Sequence, residues 1–243
     1  TTRQPCHRGL RDRGSRVKFA VVRFPGSNCD EDAIQGLRDA GHQAEYVWHE
    51  SSVLQGFDAV WVPGGFSYGD YLRCGAIAAR SPVMDSVRSA AESGMPVIGV
   101  CNGFQILCEA GLLPGALVRN SGMKFVCRDV WLRGEGRSDV WPVRDAGLIR
   151  VPVAHGEGRY VAEETVLERL EAEGLVAYRY VDKNGERTQI SNPNGSAHDI
   201  AGIFNARRNV LGMMPHPERA TRRSFGSDDG LLLLRALNQV QTV

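Results

Sequence analysis

Three short runs, AVWVP (59–63), PVIGV (96–100) and VLGMM (210–214), carry no polar side chain. A strand apolar on both faces has to be covered on both faces, which suits the interior of a parallel sheet. Around these runs the apolar period switches between strand and helix. KFAVVRF (18–24) reads as a buried strand, 30–40 as an amphipathic helix and 45–49 as a strand. Residues 82–93 read as a helix with Pro82 at its start, and 103–110 as a helix directly after PVIGV. The expected fold class is therefore α/β: an open, mostly parallel sheet with helices on both faces and functional loops at the carboxyl ends of its strands. The middle of the chain is less regular, with strands expected at 126–132, 148–153 and 176–181 and a helix at 163–173. Strands at 200–205 and 210–214 flank a polar turn at 206–209, and a helix is expected over 228–240.

At 243 residues, 42% hydrophobic and 23% charged, the chain can bury a full core, and residues 17–243 read as one domain. Residues 1–16, TTRQPCHRGLRDRGSR, are Arg-rich and nearly free of large apolar residues, so they read as a disordered tail, with the fold starting near Val17. Lys and Arg total 29 against 28 Asp and Glu, a net charge of +1, which argues against a nucleic-acid partner. The six cysteines, at 6, 29, 74, 101, 108 and 127, include no Cys-x-x-Cys pair and no zinc-like spacing, so no metal is expected. A core-rich chain of this size does not need disulfides, and the expected compartment is the reducing cytoplasm. No apolar stretch approaches the length of a transmembrane helix, so membrane anchoring is not expected.

The strongest chemical signal is Gly99-Val100-Cys101-Asn102-Gly103, between an apolar strand and a helix. Glycines on either side of a nucleophile permit a strained strand-to-helix turn that lifts it above the sheet. A helix N-terminus beneath the sulfur favours negative charge there, and the Asn102 amide is directed to the same space. The bland alternative is that Cys101 is a small buried hydrophobe. Cys108 and Cys127 fall within a helix and a strand-like run, and Cys29 and Cys74 lie in loops without such a turn. A thiol nucleophile needs a base, and the base needs an orienter. Met214-Pro215-His216-Pro217-Glu218 offers both, and its prolines are expected to hold Met214 and His216 extended, so that side chains two apart bring Glu218 towards the His216 ring. Alone, that segment would read as a surface loop with a chance His and Glu. Gly64-Gly65, after AVWV, permits a backbone amide to approach a ligand and complete an oxyanion hole with that of Asn102.

Taken together, PGGFSYGDYLRCG (63–75), GVCNGFQ (99–105), PVAHGEGRY (152–160) and MMPHPE (213–218), in this order, resemble the glutaminase-subunit family of phosphoribosylformylglycinamidine synthases, a branch of the class I glutamine amidotransferases. The resemblance runs from about Val17 to the C-terminus and includes KFAVVRFPGSNCDED (18–32). It implies a flavodoxin-like sheet, a triad of Cys101, His216 and Glu218, and an oxyanion hole from the amides of Gly65 and Asn102. It implies that Gly64, Gln105, His155, Gly156 and Glu157 bind glutamine. His155 lacks a Pro-held His-x-Glu arrangement, so pocket or structural duty is expected of it; His7, His42, His49 and His198 read as surface or packing residues. The implied activity is hydrolysis of glutamine to glutamate and ammonia through a Cys thioester. Its partners would be a large synthetase subunit and a small third subunit that make formylglycinamidine ribonucleotide from formylglycinamide ribonucleotide. No G-x-x-x-x-G-K-[ST] loop is present, so no cofactor is expected in this chain, and ATP and Mg are expected on the synthetase subunit. The competing readings are a class I amidotransferase of another pathway, a same-fold cysteine hydrolase, which would place its histidine next to the nucleophile where this chain has Asn102, and a non-catalytic nucleotide-binding module with PGSNCD as an anion loop.

Overall fold

A computed structural model of the chain describes residues 16–235. In chain order its elements are β1 (Lys18–Arg23), α1 (Asp30–Asp39), β2 (Gln43–Trp48), β3 (Ala59–Val62), α2 (Pro82–Glu92), β4 (Val97–Val100), α3 (Asn102–Glu109), β5 (Ala116–Val118), β6 (Val126–Gly134), β7 (Leu148–His155), β8 (Arg159–Val161), α4 (Glu164–Ala172), β9 (Val176–Val181), β10 (Ile200–Phe204), β11 (Val210–Met213) and α5 (Gly230–Arg235). Nine strands form one sheet in the order β2-β1-β3-β4-β11-β10-β9-β6-β7. From β2 to β11 every pairing is parallel, and from β11 to β7 every pairing is antiparallel. It follows that only β10 and β6 run against the other strands, so the carboxyl ends of β1, β3, β4, β11 and β7 reach the same edge.

The interior strands obey the condition set by their sequences: β3, β4, β10 and β11 are buried at every residue. Phe19, Trp61, Phe104, Tyr178 and Phe204 are among the large side chains wholly removed from solvent. Burying aliphatic and aromatic side chains of this size contributes roughly 1.5–3 kcal/mol each, the main term that offsets chain entropy. The first turn of α1 carries Asp30, Glu31 and Asp32, and its last turn Arg38, as the macrodipole favours. Pro82 opens α2 at a position where its missing N–H costs nothing.

The strands and helices expected from the sequence are present, with two differences that matter. Strand β7 runs two residues further than expected, to His155, which puts that residue at the carboxyl edge. Strands β5 and β8 pair in a separate two-stranded sheet that was not foreseen, because three residues carry no measurable alternation. Of the helix expected over 228–240, α5 occupies Gly230–Arg235, and the rest lies outside the described residues, as do residues 1–15 of the expected tail. Among the described residues no helix is long and apolar enough to cross a membrane.

Candidate active site

Cys101 sits between β4 and α3 with φ 52° and ψ −108°, a conformation that L-residues adopt only when their surroundings enforce it. Two glycines make it attainable. A Cβ on Gly103 would lie 1.9 Å from the carbonyl oxygen of Val62, and one on Gly99 would lie 2.5 Å from that of Gly103. The Cys101 N–H donates to Met213 O at 2.8 Å, tying the turn to β11. Its Sγ points across the edge to Ala154 O of β7, 3.8 Å away.

The loop after β11 brings His216 and Glu218 together: Nδ1–H of the ring donates to Glu218 Oε1 at 2.6 Å, with the residues only 1% and 3% exposed. The route differs from the expected one. Pro217–Arg219 forms a 3₁₀ turn that starts immediately after His216, so the carboxylate returns to the ring through a turn and not along an extended segment. Pro217 is the reason, because its fixed φ and missing N–H suit the first position of a helical turn as well as they suit a strand. Nε2 of His216 is buried without a hydrogen-bond partner of its own. Burial opposes charge on the ring, but the Glu218 carboxylate and the nearby Cys101 sulfur outweigh it and push the imidazole up to about 10. Gly64 is packed against this pair: a Cβ there would lie 2.8 Å from His216 Cε1 and 3.3 Å from Cys101 Cβ.

Gly65 has φ 141° and bridges to Ser27 in the loop after β1. Among the described residues no hydrogen-bond acceptor is found for the amide of Gly65 or of Asn102. Two free N–H groups beside a nucleophile are what an oxyanion hole requires. The side chain of Asn102 is occupied separately. Its Oδ1 accepts from Ser67 N–H at 3.2 Å, and its Nδ2 donates to Gln105 Oε1 at 2.9 Å. Gln105 Nε2 in turn donates to Glu157 O at 2.6 Å, so one chain of amides joins the loop after β3, the Cys101 turn and the loop after β7.

These groups line one cavity of about 540 Å³, within the usual range for small-molecule sites. Gly65, Cys101, Gln105, His155, Gly156, Glu157 and His216 lie on its wall, while Asn102, Gly64 and Glu218 stand directly behind it. His155 is buried against Asn194 and is pushed down to about 4 by burial and by His216, so it is neutral. Among the described residues no group of three or more His, Cys, Asp or Glu side chains is placed to hold a metal ion.

Residues 16–228 match the CobB/CobQ-like glutamine amidotransferase domain family. Phosphoribosylformylglycinamidine synthase subunit PurQ of Thermus thermophilus is 57% identical over 218 residues, spanning 88% of this chain and 95% of that protein. The chain belongs to the PurQ family of glutamine amidotransferases. The PurQ subunit of Bradyrhizobium diazoefficiens is also 57% identical, over 92% of this chain and 97% of its own length. A chain in the structure of PurLQS from Thermotoga maritima superposes with a TM-score of 0.78 at 41% identity, over 91% of this chain and 97% of that one.

Several residues in this PurQ-family cavity were not singled out by sequence reasoning. Cys29 and Cys74 read as loop cysteines, yet both face the cavity, with Asp70, Arg119, Lys124 and Arg219. The sequence did hold a clue, since Cys29 follows β1 and Asp70 follows β3 at the edge where α/β sheets place their sites. Arg219 donates to Cys29 Sγ at 3.1 Å and to Asp32 Oδ2 at 2.8 Å. Burial, aided by the Glu218 charge, nonetheless pushes the Cys29 thiol up to about 12, so it is a neutral neighbour of Cys101. His42 and His49 sit in packing positions, bonded to Leu234 O and to the Tyr68 hydroxyl, and His198 pairs with Glu171. His7 lies outside the described residues.

Proposed function

We propose that this chain is the cytoplasmic glutaminase subunit of a phosphoribosylformylglycinamidine synthase, in which Cys101, His216 and Glu218 hydrolyse L-glutamine. The observation that carries this reading is the strained Cys101 turn at the edge where the buried His216–Glu218 pair also arrives. An imidazolium that keeps its proton up to about 10 is a fitting companion for a thiolate. Cys101 Sγ attacks the side-chain amide carbon, and the carbonyl oxygen takes the negative charge between the amides of Gly65 and Asn102. The His216 proton moves to the departing nitrogen, which leaves as ammonia and gives a thioester. Neutral His216 then takes a proton from water, the resulting hydroxide attacks the thioester, and glutamate leaves as the thiolate and imidazolium are restored. Glu218 keeps Nδ1–H pointed away from the reaction and stabilises the charged ring. Gln105, His155, Gly156 and Glu157 hold the rest of the substrate, and Gly64 supports them from behind the wall by letting His216 and Cys101 pack against its backbone.

Ammonia released into neutral water becomes ammonium, a poor nucleophile, so the product is useful only if a partner receives it directly. The partner in this reading is a large synthetase subunit, assembled with a small third subunit. It uses ATP and Mg to convert formylglycinamide ribonucleotide to its amidine in purine biosynthesis. The test is ammonia release from glutamine in the assembled complex, with and without Cys101→Ala. Glutamine turnover is expected to fall by at least about 10⁴-fold while amidation with added ammonia persists. Turnover that survives Cys101→Ala would overturn the assignment.

A further inference from the structure

The carboxylate of Glu218 is anchored at one end only. Its Oε1 accepts from His216 Nδ1–H, while its Oε2 is buried with no hydrogen-bond partner among the described residues. Most buried carboxylates are fixed by several donors. With a single bond, the place of this one is set by the backbone of the Pro217–Arg219 turn and by whatever that turn rests on.

The turn rests on α1. A Cβ on Gly36 would lie 3.0 Å from each of the Cα, the Cβ and the carbonyl oxygen of Glu218, inside the distance of about 3.5 Å at which ordinary carbon contacts begin. Gly36 is buried in the middle of α1, where alanine is the better helix former because glycine loses more chain entropy. The bare surface at Gly36 is what admits Glu218. Two carboxylates on the same face of α1 flank that contact. Asp32 accepts from Arg219 Nε at 2.8 Å, and Asp39 accepts from Thr221 Oγ1 at 3.0 Å and from Arg222 Nε and Nη2, both at 2.8 Å. The chain from 219 to 222 is thus drawn down onto the helix on either side of a glycine. From the other side α5 closes on the turn: Gly230 N–H donates to Ala220 O at 2.8 Å, and a Cβ on Gly230 would lie 2.0 Å from Pro217 O.

We infer that Gly36 is a positioning residue for the Cys101 reaction, fixing the Glu218 carboxylate against His216 by letting the backbone of Glu218 lie directly on α1. The inference rests on the glutaminase reading above. Gly36 touches neither the ring nor the nucleophile and acts only through Glu218. The titratable and charged groups around the pair are Cys101 and His155 at the His216 ring, and Cys29 and Arg219 beside Glu218, with Asp32 behind Arg219. Of these only Glu218 bonds to Nδ1, so a displaced Glu218 changes the ring first.

The experiment measures glutamine hydrolysis by Gly36→Ala in the assembled complex. The added methyl displaces Glu218 by a fraction of an ångström, and kcat is expected to fall about 10-fold while KM stays within about twofold of the wild type. The alkaline limb of kcat/KM is expected at lower pH, because the carboxylate is what helps to hold the ring proton up to about 10 and a looser contact holds it less. In a Glu218→Ala background Gly36→Ala should cost no more than about a further twofold, since the side chain through which it acts is gone. A wild-type alkaline limb in Gly36→Ala, or the full loss repeated in the Glu218→Ala background, would overturn the inference. If Gly36→Ala does not assemble, Asp39→Asn loosens the same clamp without added volume and should move the limb in the same direction by a smaller step; an unmoved limb there would overturn the inference as well. Cys101→Ala run in parallel separates the two assignments. Glutamine turnover without Cys101 removes the glutaminase reading itself, whereas Cys101-dependent turnover with an unaltered limb removes only the role of Gly36.

Discussion

The two halves of the sheet build their shares of the cavity by different means. In the parallel half, β3 and β4 are buried at every residue, and the groups at their ends are placed by direct backbone packing through Gly64, Gly99 and Gly103. In the antiparallel half, β7 alternates between buried and partly exposed residues, and its end is held by buried amides. Asn120 Nδ2 donates to His155 O and Lys124 O, both at 2.9 Å, and its Oδ1 accepts from Gly158 N–H at 3.0 Å; Asn194 Nδ2 donates to Gly158 O at 2.8 Å. Steric contact rises steeply with displacement, whereas a hydrogen bond tolerates tenths of an ångström. The nucleophile therefore stands on the rigid half and the substrate wall on the more adaptable one. His216 lies at the seam, because it follows β11, which pairs parallel with β4 and antiparallel with β10.

The largest effect short of removing the nucleophile is expected at that seam. Glu218→Gln takes the carboxylate from the ring and should lower glutamine turnover by on the order of 10²- to 10⁴-fold. It should also move the pH dependence in a defined direction. The folded ring holds its proton up to about 10, against 6.5 for a free imidazole, so the charged pair adds stability that is complete below about pH 6.5 and is lost as pH rises through about 10. Without the carboxylate that loss, and the alkaline limb of kcat/KM, should begin at lower pH. An alkaline limb and a thermal stability profile that match the wild type would mean that Glu218 does not govern the ring.

The rigid half can be tested by adding one carbon. In Gly103→Ala the new methyl would start 1.9 Å from Val62 O, so α3 must shift by about an ångström relative to β3. A misplacement of that size typically costs on the order of 10²-fold in rate, and kcat should carry it. Gly122→Ala is the control on the other half: a Cβ there meets nothing within 4 Å, and both melting temperature and turnover should stay within error of the wild type. Equal effects from the two substitutions would break the contrast between the halves.

What the sequence made legible follows the same division. The wholly apolar strands, the Cys101 turn and the Pro-flanked His216 and Glu218 are local patterns, and each was readable because neighbours along the chain determine it. The cavity wall is another matter. Asp70 faces inward only because four residues from 68 to 72 take positive φ, and that conformation depends on His49, Ser81 and Pro25, which are distant in sequence. Cys29 reaches the site because Arg219, 190 positions away, bonds to it. The 3₁₀ turn at Pro217 was missed for a different reason: proline favours both the extended segment and the first residue of a helical turn, and packing of α1 against Glu218 at Gly36 accompanies the second.

The smallest of the expected effects falls on the adaptable half. Asn120 is 1% exposed and makes three of the hydrogen bonds that shape the segment from His155 to Gly158. In Asn120→Ala the Gly158 N–H and two carbonyl oxygens lose their side-chain partner, at a cost of about 2–3 kcal/mol in stability. For a chain of this size that corresponds to a fall in Tm of roughly 5–10 °C. The displaced wall should raise the KM for glutamine several-fold while kcat changes little, because Cys101 is held by the other half and His216 by the seam, where its N–H donates to Pro152 O, upstream of the displaced segment. If kcat fell as far as in Gly103→Ala, the amide-held wall would be as much a part of the reacting geometry as the glycine-packed turn, and the two halves would differ in sequence pattern alone.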